Sequence, residues 1–395
     1  MIYFHTILSI NRRRSSALGL AFILFWLSPR AAHTASALGE SAAVGLNPAI
    51  NLEFSIADIE LTESMTFSEI TARCGSWILD QQTVSCQNAV VVISRSPIGE
   101  MLLNAKIDWS PHSKAWRVVG SADFVRESQI RFDIARSNTS TTLELGLSNV
   151  DVASIEDIFT STTSLFADHS IDGGLMNVDI TCRMKGSVPA SCEASGSIDD
   201  LNVNGVNVAE NVRATFAGDY SLDESGERIA AKLSFQQGAV YIEPGFRLGA
   251  LNPGFFISSG DTPIEVLAAI SRSKDGEIRV RSAELKHENV VNLEFVGDLG
   301  FAPGPQWTAL KFRLKTPDAS AFYETYMQPI ALDTAFSSLE TSGELNLEII
   351  GASSEIDQLS LHFEQIYVDD DEGRFSLYGL DGDIELHAGE QQRES

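Results

Sequence analysis

The chain has 395 residues, of which 44% are apolar, and a formal charge of −26. That apolar content supports a sizeable core and argues against global disorder. The charge repels phosphate backbones and anionic headgroups at long range, so no nucleic acid is expected as a partner, and lipid would have to be met through apolar surface.

The N-terminus opens with Arg12-Arg13-Arg14, then an uncharged run from Ala17 to Leu27, the breaker Ser28-Pro29 and an A-x-A site at Ala35-Ser36-Ala37. This layout predicts a secretory signal peptide over 1–37. The 11-residue run falls short of the ~18 apolar residues a spanning helix needs. Inner-membrane anchoring is the alternative if the segment is not cleaved. The remainder, 38–395, is expected to be a β-rich periplasmic region. Its four cysteines fit export. Proximity pairs Cys74 with Cys86 and Cys182 with Cys192, the latter about evenly placed around a turn from Gly186 to Pro189. Each small loop closed in this way contributes roughly 2–3 kcal/mol. The cysteines lack zinc-site spacing.

Period-two alternation dominates the rest, giving about 15 or more largely antiparallel strands. The first is Leu52, Phe54, Ile56. Thr66 to Arg73 reads as a turn of helix. Ile130, Phe132, Ile134 and Leu143, Leu145, Leu147 follow as strands. Val152, Ile155, Ile158, Phe159, Leu165 and Phe166 lie at helical spacing behind a candidate N-cap, Asp151. Leu233 and Phe235 begin the next strands. A short helix is expected near Pro263 to Ile270, then strands at Ile278, Val280 and at Val291, Leu293, Phe295, Gly297, Leu299, Phe301. Gly297, Gly300, Gly304, Pro303 and Pro305 mark a loop between sub-regions. Leu310, Phe312, Leu314 form a strand. Asp318 to Met327 reads as a helix stopped by Pro329. Strands then follow at Leu345, Leu347, Ile349 and at Leu359, Leu361, Phe363. The apolar phase slips to Ile366 and Val368, which predicts a bulge near Glu364-Gln365. Turn chemistry lies at Asn204-Gly205, Lys274-Asp275-Gly276, Glu372-Gly373 and Asp381-Gly382.

No catalytic constellation emerges: there is no G-x-S-x-G elbow, P-loop or H-E-x-x-H. An enzyme is not expected, and neither cofactor nor metal is implied. The histidines are scattered, and His362 reads as a solvated strand residue. Asp369-Asp370-Asp371-Glu372-Gly373 lacks EF-hand spacing and reads as a solvated hairpin turn rather than a calcium loop. Phe255-Phe256, with Tyr241 and Phe246, fits either a core or a lining for acyl chains.

Two or three short helices cannot cover so many apolar strand faces, and large exposed apolar area is not tolerated in water. The sheet must therefore close on itself as a sandwich or barrel, or curl around something apolar. One module also occurs twice, at about 143–208 and 310–368. Each copy has an alternating strand, a turn with an acid, a short amphipathic stretch, a loop with Gly174 or Gly343, and further strands.

The segments "SGELNLEII", "IDQLSLHFEQIYV" and "GRFSLYGLDGDIEL", with "NVDVASIEDIF", "DGGLMNVDITC" and "ASGSIDDLNV" in the first copy, resemble the AsmA-like proteins of Gram-negative envelopes, in particular the YdbH branch. The resemblance covers about Leu143 to Leu386. It implies a mainly β fold: a long twisted or curled antiparallel sheet forming a taco-like groove, with β-sandwich domains as the alternative. The groove would be lined by Leu293, Phe295, Leu310, Phe312, Leu314, Leu345, Leu347, Ile349, Leu359, Leu361 and Phe363. The implied function is non-enzymatic carriage of phospholipid or other acyl-chain lipid between inner and outer membranes, with envelope proteins as further partners. The alternative is a β-rich structural or interaction module that binds by strand addition.

Overall fold

A computed structural model describes His5–Thr6 and most of residues 52–388; within the latter range the longest stretches outside the description are 156–168 and 243–254. Apart from His5–Thr6, the expected signal segment lies outside the described residues, as do the later residues of the first expected helix. The fold is mainly β and antiparallel, and it is not a closed barrel. It divides into two units, Met1–Gly196 and Ser197–Ser395.

In the first unit the strands are β1 (His5–Thr6), β2 (Leu52–Thr62), β3 (Met65–Cys74), β4 (Trp77–Leu79), β5 (Val84–Arg95), β6 (Met101–Ser110), β7 (Ala115–Phe124), β8 (Ser128–Arg136), β9 (Thr141–Asp151) and β10 (His169–Lys185). β1 adds a short parallel bridge to β2. From β2 onward the pairing is an antiparallel meander, with β4 a short strand beside β5. β11 (Val188–Gly205) runs across the boundary between units.

Alternation places one residue in two on one face, and cross-strand partners share that face. One such row reads Val91, Leu103, Ala122, Ile130, Leu147. Another reads Cys86, Ile107, Val118, Ile134, Leu143, Cys182. Most of these side chains are buried; Leu103 is 1% exposed. From β5 to β9 the apolar face of the first unit is therefore largely buried.

The expected pairings Cys74–Cys86 and Cys182–Cys192 are both present as disulfides, with Cα separations of 6.3 and 4.1 Å. The two bonds mark an oxidising, extracytoplasmic environment. Among the described residues no helix is long and apolar enough to cross a membrane.

The second unit contains β12 (Val208–Asp223), β13 (Gly226–Ile242), β14 (Phe255–Ser258), β15 (Ile264–Ser273), β16 (Ile278–His287), β17 (Val291–Gly300), β18 (Gln306–Thr316), β19 (Leu339–Ala352), β20 (Glu355–Asp370) and β21 (Ser376–His387). Consecutive strands pair antiparallel, except that β13 pairs with both β14 and β15. A short helix, α1 (Ala319–Phe322), leads into a π-helical turn, Tyr323–Met327. Asp318 caps α1: its Oδ1 accepts from the backbone N–H groups of Ser320 at 2.9 Å and Ala321 at 3.3 Å.

The doubled pattern has a structural counterpart in element order. β9, a 3₁₀ turn (Val152–Ile155), β10 and β11 occupy the first copy; β18, the capped helical segment, β19 and β20 occupy the second. Asp151 Oδ1 accepts from the Ala153 N–H at 3.1 Å, matching the role of Asp318.

Four local expectations are corrected. Thr66 to Arg73 is part of β3, because it pairs on both sides, with β2 and β5. Ile264 to Ile270 is part of β15, held between β13 and β16 despite its helix-compatible Leu267-Ala268-Ala269. Gly174 and Gly343 lie inside β10 and β19 rather than in loops; β17 runs through Gly297, as its alternation predicts, and on to Gly300, while Pro303, Gly304 and Pro305 of the expected loop lie outside the described residues. Asp381-Gly382 is inside β21, where a Cβ on Gly382 would lie 3.0 Å from the Phe363 ring. The bulge is where the phase slip put it: pairing of β20 with β21 shifts between Phe363 and Ile366. Gln365 there has a φ of 51°, and opposite it Gly343 has a φ of 105°.

Candidate functional site

The second unit carries a continuous apolar face across eight strands, β13 and β15 to β21. Its central row reads Leu233, Val266, Leu285, Leu293, Leu314, Leu347, Leu361, Ile384, each residue opposite the next. The next row reads Ala231, Ala268, Ala283, Phe295, Phe312, Ile349, Leu359, Leu386. Seven inter-strand spacings of about 4.8 Å make each row roughly 34 Å long. All eleven residues expected to line a groove belong to this face. Leu310 pairs with Gly297, and Leu345 pairs with Thr316 and Phe363.

Burial separates this face from that of the first unit. Of the eleven, Phe295 alone is buried and the other ten are half-buried. At the β21 margin Ile384 and Leu386 are exposed. A sealed sandwich core would hold mid-sheet leucines near full burial. The apolar face of the second unit is thus accessible, whereas the face of the first, from β5 to β9, is largely buried.

The opposite face is polar and ion-paired. Lys232 meets Glu265 at 2.9 Å, and Arg313 meets Glu348 at 2.8 Å. Hydrogen bonding from these cations holds both carboxyls below the usual carboxylate range. Arg279 and Arg281 converge on Asp298 at 2.9 and 2.8 Å. Such exposed pairs are screened by solvent and add little to stability, so their main effect is to keep this face toward water.

One end of the apolar face is capped. The π-helical turn packs against β14, and α1 against β19. Thr341 Oγ1 donates to the Ala319 carbonyl at 3.2 Å, and Thr316 Oγ1 donates to the Asp318 carbonyl at 2.9 Å. Tyr323 accepts from the Leu339 N–H at 3.1 Å and donates to the Phe336 carbonyl. Beneath the cap, Phe235, Ile264, His287, Val291 and Thr316 are all buried.

His287 is the polar latch, and sequence reading passed over it. Its Nδ1 lies 3.0 Å from the Tyr326 hydroxyl, with the rings edge to face. Burial lowers the imidazole pKa, opposed in part by a hydrogen bond to the Ser259 backbone, and burial pushes the Tyr326 hydroxyl up to about 12. His287 and Tyr326 therefore share a hydrogen bond between Nδ1 and the hydroxyl with the imidazole favoured in its neutral form. The unfolded side chain titrates near ~6.5. Below that pH the unfolded chain takes up this proton more readily than the folded one, so stability is lost as pH falls. Thermal melts are expected to show His287's contribution undiminished above pH ~6.5 and declining below it, with His287→Gln flattening that slope.

The acidic run is not a solvated turn throughout. Asp370 is buried and paired with Arg374, whose Nη2 lies 3.0 Å from Oδ1. Asp369 accepts from Tyr367 at 3.0 Å and from Ser376. Among the described residues no group of three or more His, Cys, Asp or Glu is placed to hold a metal. His362 is exposed, with Nδ1 2.7 Å from Asp383. Compared with known protein families, curated proteins and solved structures, the chain gives no match.

Proposed function

We propose that the chain is a non-enzymatic periplasmic protein, exported by its N-terminal signal, whose second unit binds phospholipid acyl chains and carries them between inner and outer membranes. The observation that carries this reading is the accessible apolar face, about 34 Å across by strand spacing. That span exceeds the ~30 Å hydrocarbon core of a bilayer, so either acyl chain of a phospholipid lies within it. Leucine, isoleucine and phenylalanine side chains act collectively, each removing apolar surface from water at roughly 25 cal/mol per Å². The sequence resemblance to AsmA-like envelope proteins points the same way.

Purified mature protein is expected to carry phospholipid that mass spectrometry detects after extraction. Leu347→Asp, which sets a charge in the centre of the face, is expected to lower bound lipid about tenfold or more. Lipid-free protein from cells, or unchanged loading in the variant, overturns the reading.

A second reading rests on a separate observation. Along β21, Leu377, Tyr378, Leu380, Ile384 and Leu386 are all exposed, and among the described residues no strand pairs with its outer edge. Such an edge accepts an added strand, which makes β21 the place where an interaction module would engage an envelope protein.

A further inference from the structure

The face of the first unit opposite its buried rows carries a groove. One cross-strand row there reads Val90, Asn104, Ser121, Arg131, Gly146, Asp179, from β5 to β10. A second row, from Lys106 to Thr181, runs beside it. Between the rows lie Ala105 and Phe132, whose side chains are buried on the far face, so their backbone forms the floor. The cavity has a volume of about 670 Å³, within the range of ligand sites. Five inter-strand spacings of about 4.8 Å make it roughly 24 Å long.

Gly146 is the odd residue in this groove. Glycine weakens a strand interior, and there it normally marks a bulge, a positive φ or a close approach by another backbone or a ligand. The register of β9 with β8 and β10 passes through Gly146 without a shift. Its φ lies outside the left-handed region. The nearest atoms to a Cβ there would be side-chain atoms, Asp179 Oδ1 at 3.1 Å and Arg131 Nε and Nη2 at 3.8 Å. Of the four causes, room for a ligand remains. The slot over Gly146 lies between a cation and an anion. Arg131 and Asp179 flank it from β8 and β10, both are exposed, and among the described residues neither makes an ion pair or hydrogen bond.

The charges of the groove nearly balance. Lys106 pairs with Asp108, and Arg117 with Asp133. With these partners counted, Lys106, Arg117 and Arg131 stand against Asp108, Asp133, Glu144 and Asp179, a net charge of −1. Such a groove favours neither polyanions nor polycations. It sets donors (Arg131, Asn104, Ser121) beside acceptors (Glu144, Asp179), and Val119, 37% exposed, adds an apolar step. Charge-assisted hydrogen bonds to neutral hydroxyls suit that combination. A peptide main chain finds no ladder to join here, because β5 to β9 are each paired on both sides.

We infer that this groove binds a neutral oligosaccharide, the Arg131 guanidinium donating to one ring hydroxyl and the Asp179 carboxylate accepting from its neighbour across Gly146. The site lies in the other unit from the proposed lipid face and does not depend on it.

Isothermal titration of the full mature chain with maltohexaose, cellohexaose and chitohexaose tests this, with hexa-alanine as the peptide probe. At least one saccharide is expected to bind. Arg131→Ala and Asp179→Ala should each weaken it about tenfold, the worth of one charge-assisted hydrogen bond. Gly146→Val fills the slot and should abolish binding while the melting temperature holds or rises, since β-branched residues suit strands better than glycine. The two alanine variants change exposed side chains and carry the test if the valine disturbs the strand. Leu347→Asp should leave saccharide binding unchanged, which separates this result from lipid loading. No binding of any saccharide up to about 10 mM overturns the inference. So does binding undiminished in the alanine variants, or tighter binding of hexa-alanine.

Discussion

Leu103→Ala is expected to destabilise the first unit by about 3 kcal/mol, whereas Leu347→Ala should cost the second unit only about 1 kcal/mol. The residues are alike in type and each sits mid-strand in an antiparallel layer. They differ in what lies above them. Leu103 is 1% exposed and joins a buried cluster with Val91, Ala122, Ile130 and Phe132. Removing its side chain forfeits transfer energy and leaves a cavity. Leu347 is half-buried, so water fills the space its truncation vacates and no cavity term is added. Hydrogen exchange under denaturant, read unit by unit, separates the two costs. Equal losses at both sites would mean that the second face is as closed as the first.

The second large effect falls on Gly343→Ala. Gly343 has a φ of 105°, a region that L side chains avoid. An added Cβ would lie 2.6 Å from the Gln365 carbonyl oxygen and 2.7 Å from that of Glu364. Both obstacles are backbone and neither rotates away. The pairing shifts here as well, between Ser342 and Glu344, so the glycine and the bulged Gln365 form one distortion shared by β19 and β20. The expected loss is about 2–4 kcal/mol in equilibrium denaturation. The same substitution at Gly173, where a Cβ would meet nothing within 4 Å, serves as the mild control.

Much of the apolar face was legible because strand alternation fixes which residues share a face. Leu310, Leu345 and Leu361 needed no structure to be grouped, and the phase slip after Phe363 disclosed the bulge. Both disulfides were legible from proximity in sequence, and Cys182–Cys192 also from its place around a hairpin turn. Helix-compatible spacing misled at Ile264 to Ile270: Ile264, Leu267 and Ala268 sit at i, i+3 and i+4, but ladder bonds to both neighbouring strands decide the conformation. Long-range encounters were invisible. Nothing near His287 in sequence announces Tyr326, and Asp370 and Arg374 are close in sequence without any sign that the carboxylate is buried. The difference between a buried and an accessible face was also hidden, since both units show the same period of two. What covers a sheet is a tertiary fact, and alternation reports only that one side wants covering.

All four cysteines belong to the first unit, and in its buried face one row begins at Cys86 and ends at Cys182, each bonded to a neighbour outside the row. Maturation is therefore lopsided. Thiol oxidation is a checkpoint for one half of the molecule alone, and the half with the accessible face has no covalent step to wait for. A cell short of oxidising power would accumulate chains whose second unit is finished while the first still lacks both of its cross-links.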